Sequence, residues 1–337
     1  MAYRMLALLL CALLLGMTAC ETNEETYNPP HYPSNFSINP NGSNLQMYDA
    51  RVIGIGNVFY VDDQTIFYQN SKLMRRDLNG ITYFQIVPDS MNCSALIVDK
   101  TAQLLYFIGN GDLYRCGFWG ENLTNLTPQN SKTLAEPQRP GNGRYITMVG
   151  RVGYVAGIIT NYDLETGELT EYFELPRAWE AFYNQEHNSF IYQDRTEIRK
   201  IDANGENLST LLATPYQVYD LQQSFDDRYI FIRVSPQAYY SGAFWVYDHD
   251  QQSMASLGNS SAYTLAENRN MVYAVRGDSD WSQLVRINMD TGWSDVIFDG
   301  IWDNFRMNGA SFLKIRSDEG RIYVKARFIK DDKGLVQ

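Results

Sequence analysis

The chain has three histidines, and a metal or acid–base centre built on them would need their rings to converge. His31 lies in a Pro- and Asn-rich stretch, His187 between Glu186 and Asn188, and His249 within Asp248-His249-Asp250. The last two occupy turn-like settings in different repeats, so both are expected to be solvated turn residues. Asp278-Ser279-Asp280-Trp281-Ser282 spaces carboxylates two apart, like half of an oxygen-rich calcium loop, but lacks the glycine and the closing glutamate. No GxSxG, P-loop or HExxH pattern occurs. Paired carboxylates across a cleft would suit glycoside chemistry, yet with 39 acidic residues any pair could be nominated. No catalytic residue, metal ligand or cofactor is therefore assigned.

Residues suited to binding are easier to place. Segments 127–143, 235–243 and 276–282 read as long connections opening on one face of the fold. They would bring Arg139, Tyr239, Tyr240, Arg276, Asp278, Asp280 and Trp281 together. Tyr, Trp and Arg are the types enriched in binding hot spots, and aromatic rings also stack on sugars. The plainer reading is that Tyr239, Tyr240 and Trp281 cover the ends of strands.

Such connections need a frame, and the frame is written as a repeat. Seven short apolar or aromatic segments recur: Phe59-Tyr60-Val61, Leu105-Tyr106-Phe107, Gly153-Tyr154-Val155, Ile191-Tyr192-Gln193, Ile230-Phe231-Ile232, Val272-Tyr273-Ala274 and Phe312-Leu313-Lys314. Their central residues are 46, 48, 38, 39, 42 and 40 apart, and a strand-built period in that range indicates a radial array. One unit reads as a four-stranded meander: 94–99, 104–108, 112–118 and 123–126, with turns at Gly109-Asn110-Gly111 and Gly120-Glu121-Asn122. Further turns are read at Asn79-Gly80, Thr166-Gly167, Asn204-Gly205 and Thr291-Gly292, where Gly or Asn accepts positive φ. The expected fold is all-β, a seven-bladed β-propeller of four-stranded antiparallel blades, with six or eight blades as alternatives. Leu45–Tyr48 could close the ring by completing the last blade, whose outermost strand is otherwise only Leu335-Val336-Gln337.

Val58-Phe59-Tyr60-Val61-Asp62 followed by 72–80, and 198–208 (Ile198-Arg199-Lys200-Ile201-Asp202-Ala203-Asn204-Gly205-Glu206-Asn207-Leu208), carry a resemblance. They resemble the YWTD-type propeller repeat of low-density-lipoprotein receptors and its bacterial relatives. The resemblance spans residues 45–337 and implies an interaction module; it transfers no catalytic residue.

The N-terminus reads as a signal. Arg4 precedes the apolar run 5–15, and Gly16-Met17-Thr18-Ala19-Cys20 follows. The run is too short for a helix across roughly 30 Å of hydrocarbon and ends in a processing site. The segment resembles a bacterial lipoprotein signal, which implies a signal peptide over residues 1–19 and acylation of Cys20. Residues 20–44, rich in Pro, Asn and Glu, read as a flexible tether, and 45–337 as one propeller domain. Glu21, Glu24 and Glu25 resemble the surface-export signal of Bacteroidetes lipoproteins. The expected location is the cell envelope, on the outer-membrane surface or facing the periplasm, with the lipid as the sole membrane attachment. Cys93 and Cys116 are read as two strands apart, roughly 10 Å, too far to bridge. A net charge of -11 disfavours nucleic acid. The function these features imply is non-catalytic binding of a protein or glycan on the loop-rich face. A glycan-acting hydrolase or lyase using channel carboxylates, and a structural envelope subunit, are the alternatives.

Overall fold

The protein is represented by a computed structural model. It describes residues 34–44, 46–48, 57–61, 65–69, 72–77, 83–128, 132–139, 143–152, 156–176, 178–194, 196–235, 242–260, 262–266, 270–277, 281–302, 314–317, 322–326, 328–331 and 334–336. Among them there are strands and no α-helix.

Strands β1 (Ser34–Ile38) and β2 (Gln46–Tyr48) precede five meanders of four consecutive antiparallel strands. The first meander holds β3 (Asn57–Val61), β4 (Thr65–Gln69), β5 (Leu73–Asp77) and β6 (Tyr83–Gln85). The second holds β7 (Cys93–Asp99), β8 (Leu104–Gly109), β9 (Asp112–Gly117) and β10 (Thr124–Asn125). The third holds β11 (Thr133–Gln138), β12 (Tyr145–Val152), β13 (Ala156–Asp163) and β14 (Leu169–Pro176). The fourth holds β15 (Ala178–Asn184), β16 (Ser189–Asp194), β17 (Glu197–Asp202) and β18 (Ser209–Ala213). The fifth holds β19 (Gln217–Gln223), β20 (Tyr229–Ser235), β21 (Gly242–Asp248) and β22 (Ser253–Ser260). A six-stranded sheet follows, made of β23 (Ala262–Leu265), β24 (Met271–Arg276), β25 (Trp281–Asn288) and β26 (Ser294–Trp302), with β29 (Phe328–Asp331) and β30 (Gly334–Val336) on its outer edge. The last sheet runs β2-β1-β28-β27, with β27 (Lys314–Ser317) and β28 (Ile322–Ala326).

The core is divided among the seams between successive sheets. One apolar cluster joins Phe182, Ile191 and Ile198 of the fourth meander to Val218, Ile230 and Ile232 of the fifth; the next joins Phe231 and Phe244 to Tyr263, Val272 and Ala274. Second strands have neighbouring sheets on both faces, so they read as continuous apolar runs rather than alternating ones. Leu105, Tyr106, Phe107 and Ile108 of β8 are all at most 4% exposed. Outer strands such as β22 are mostly exposed. First strands of successive sheets touch in the order β23, β27, β3, β7, β11, β15. This arrangement is a β-propeller, as the repeat predicts.

Several finer expectations are corrected. Phe59-Tyr60-Val61 lies in a first strand, β3, and Lys314 opens another, β27, whereas four of the other segments are second strands. The repeat therefore slips phase at both ends of the domain; Gly153–Val155 falls outside the described residues. The stretch read as tether contains β1, paired along its length with β28, so the folded domain begins before residue 45. The N-terminus contributes two strands, β1 and β2, to the sheet of β27 and β28. Leu335 and Val336 join β29 on the edge of β26 instead of completing the last sheet. The second meander matches its reading, including Asn110 (φ 50°), Gly111 (φ 92°), Gly120 (φ 84°) and Asn122 (φ 56°) in the two turns. Cys93 and Cys116 are both free and buried. The signal peptide, Cys20 and the acidic cluster lie outside the described residues.

Removing β1 and β2 would strand the β27–β28 hairpin, and a lone two-stranded hairpin is marginal in water. A chain starting at residue 50 should melt about 10 °C or more below one starting at Tyr32, as a loss of several kcal/mol requires at this size. Differential scanning calorimetry of the two truncations checks this.

Candidate functional site

The meanders give the domain two faces. Face I carries the turns from second to third strand and the connections from sheet to sheet; face II carries the turns from first to second and third to fourth strand. Strand β20 ends and β21 begins on face I, and so do β24 and β25. Arg276 ends β24 and Trp281 begins β25 on that face. Tyr239, Tyr240, Asp278 and Asp280 lie outside the described residues.

Arg139 does not join them. The segment read as one connection, 127–143, contains strand β11, and crossing that strand carries Arg139 to face II. There its guanidinium donates to Asp99 Oδ2 at 2.7 Å and to the Gly143 carbonyl at 2.7 Å, with both side chains only 8% exposed. Burial opposes ionisation of Asp99, but the Ala102 amide and Arg139 outweigh it and hold the carboxyl below its usual range. Arg139 is a tie between the second and third meanders.

Arg276 is placed very differently. It is half-buried at the face I end of the seam between the fifth meander and the six-stranded sheet, and its Nη2 donates to the Leu257 carbonyl of β22. Its Nε is buried without a hydrogen-bond partner, and no carboxylate pairs with the side chain among the described residues. Burial alone lowers its pKa. A guanidinium withdrawn from water without a counter-charge is costly, and supplying an anion recovers that cost.

Two arginines on face II are each compensated by a carboxylate. Arg144 chelates Asp163 and Arg228 chelates Asp248, in each case the second strand's start against the third strand's end. Asp163, Asp248 and Asn288 each also accept two amides from the turn that follows them. The Arg144 hydrogen bond holds Asp163 far below the usual carboxylate range. These acids are committed to turns.

The histidine expectation is half corrected. His187 is an exposed turn residue, but His249 is 1% exposed, and the two rings stack with centroids 5.5 Å apart. Tyr247 meets His249 edge-on, and among the described residues neither His249 nitrogen has a partner. Burial, then Lys200 and His187, push His249 down to about 4. Asp227, on the adjoining turn, is pushed up to about 7 by burial, with Asp226 and Glu186 adding like charge. Among the described residues no three His, Cys, Asp or Glu groups could hold a metal together.

One feature had no signature in the repeat. The first strands of all five meanders are bulged, at Phe59, Ser94, Glu136-Pro137, Trp179-Glu180 and Tyr219. Bulges re-aim side chains and concentrate next to sites. Ser94 and Glu136 are exposed there, and Glu136 has φ 48°.

Comparison with known proteins adds the fold and no more. No family model matches the chain, the YWTD repeat included, and no curated protein matches it in sequence. Among solved structures the chain is similar to an oligogalacturonate lyase in complex with manganese, with TM-score 0.58 and 11% identity over 81% of this chain and 89% of that one. It is similar to the oligogalacturonate lyase of Vibrio parahaemolyticus, with TM-score 0.57 and 8% identity over 88% and 97%. A TolB-designated protein from Agrobacterium tumefaciens gives TM-score 0.50 and 12% identity over 88% and 98%. The fold is a β-propeller. At such identities no reaction, ligand or location carries across.

Asp227 and His249 tilt the pH dependence of stability in opposite directions. The folded chain keeps a proton on Asp227 between 3.8 and about 7, so stability falls as pH rises through that window. His249 stays neutral down to about 4 when folded but protonates near 6.5 when unfolded, so stability falls as pH drops through that window. The two largely cancel. Asp227→Asn should leave a stability that rises with pH from about 4 to 6.5, and His249→Phe one that falls toward 7, as denaturant midpoints measured across that range will show.

Proposed function

We propose that this chain is a lipid-anchored cell-envelope protein, acylated at Cys20, whose seven-bladed propeller binds an anionic group of a glycan or protein partner on face I without catalysis. In this reading the six-stranded sheet and the β2-β1-β28-β27 sheet are the sixth and seventh blades, and the mixed sheet closes the ring. The observation that carries the binding reading is Arg276, a half-buried guanidinium that among the described residues has an unpartnered Nε and no carboxylate. In this reading the segments after β20 and β24 bring Tyr239, Tyr240, Asp278 and Asp280 to the same face, with Trp281 opening the next strand. Aromatic residues beside a desolvated arginine make the composition of a binding hot spot. Envelope location and anchoring rest on the lipobox-like Gly16–Cys20 segment.

A hydrolase or lyase remains the second reading, on the bulged first strands that carry Glu136 and Glu180. It requires two carboxylates converging across the channel within about 5–10 Å.

The chain lacking residues 1–20 is titrated calorimetrically with polygalacturonate fragments, an acidic peptide and a neutral glucan. An anionic probe should bind and the neutral one should not. Arg276→Ala should weaken that binding about 10- to 100-fold, the loss of a hydrogen bond to a charged group, without lowering the melting temperature. Loss of stability with unchanged affinity would make Arg276 structural and remove the reading.

A further inference from the structure

Face II carries an aromatic corner that neither the ring closure nor Arg276 explains. Trp119 sits in the turn between β9 and β10 and is 53% exposed; Phe84, in the outermost strand of the first meander, is 45% exposed. The rings meet edge to face, with centroids 5.9 Å apart and an interplanar angle of 71°. Arg75, the register partner of Phe84 across β5 and β6, lies with its guanidinium carbon 3.6 Å from the Trp119 ring centroid. A cation thus lies over the indole and a phenyl ring packs crosswise against it, while about half of each aromatic side chain meets water.

The indole is held in place. The Trp119 amide donates to Glu121 Oε2 at 2.9 Å, the Gly120 amide to Gly117 O at 3.0 Å, and the Gly117 amide to Glu121 O at 2.8 Å. Gly120 has φ 84°, and a Cβ there would lie 2.4 Å from the Ile86 carbonyl, so the turn is seated against the neighbouring meander. Exposing two large rings this way sacrifices the burial that most aromatic side chains gain.

We propose that this corner is a second ligand site, a platform on which a neutral pyranose ring of a glycan stacks through its C–H face. Size decides the occupant. Half of two aromatic side chains leaves roughly 200 Å² of apolar surface, against about 800 Å² per partner in a stable protein interface. A single ring fits that area. Polar groups beside the rings match hydroxyls: the Glu121 carboxylate and the Arg75 guanidinium. The Arg75 cation already on the indole disfavours a cationic ligand beside it. This site is on face II, so it stands or falls independently of Arg276.

The test titrates the chain lacking residues 1–20 with neutral gluco-, xylo-, manno- and N-acetylchito-hexasaccharides, by calorimetry and tryptophan fluorescence. At least one should bind; Trp119→Ala should abolish that binding and Phe84→Ala reduce it at least about 10-fold, about 1.4 kcal/mol. Trp119→Phe should keep part of it, Arg276→Ala all of it, and melting temperatures should stay within about 2 °C of the parent, as for surface substitutions. No binding by any of the four, binding that survives Trp119→Ala, or a Trp119-dependent self-association in light scattering would each overturn the proposal.

Discussion

Everything in this domain depends on second strands that are buried on both faces. In β8, β16, β20 and β24 nearly every side chain touches either the preceding or the following sheet. No sheet has a core of its own; each seam is built by two sheets, so a blade gains stability only from its neighbours. Burial of each Ile, Phe or Tyr contributes about 1.5–3 kcal/mol, far more than the exposed ion pairs at the turns can. That is why the ends of the chain matter so much. An open array would leave one seam half-made and a strand edge unpaired, and the pairing of β1 with β28 covers it.

The same constraint explains what is variable. Because the seams fix the strands, the connections are free to differ, and the inner edges are free to bulge. Face II has been used for order: Asp163, Asp202, Asp248 and Asn288 occupy the same place at the end of third strands, and the residue after each of them takes a hydrogen bond to the start of its second strand. Arg144 and Arg228 add charge to that clasp where the acid allows it. The turn glycines Gly167, Gly205 and Gly292 have φ between 70° and 84°, which lets the chain reverse tightly behind the clasp. Asn79-Gly80 lies outside the described residues.

How much was legible follows from the same physics. Second strands announce themselves, because burial on both faces forces an apolar run. Turns announce themselves through Gly and Asn. First strands do not: β11 reads Thr-Leu-Ala-Glu-Pro-Gln, with a proline and a bulge that leaves Glu136 at positive φ, and nothing in that composition separates it from a loop. Overlooking one strand moves everything after it to the opposite face, which is how Arg139 came to be grouped with Arg276. His249 was misjudged for a related reason. Its turn looks polar in sequence, but the neighbouring meander's turn supplies the His187 ring that covers it, and contacts between sheets leave no local mark.

The arginines separate structural from binding roles without reference to any other protein. Arg139, Arg144, Arg228 and Arg286 each pair with a carboxylate, Arg286 with its register partner Asp295 and the other three with acids at strand ends, and their charge is spent within the fold. Arg276 occupies an equally ordered strand end, is desolvated, and meets only a backbone carbonyl among the described residues. An apolar side chain at that position would pack without the desolvation penalty, so stability alone gives no reason for a guanidinium there. In the proposed reading that charge is half of an interaction whose other half arrives with a ligand.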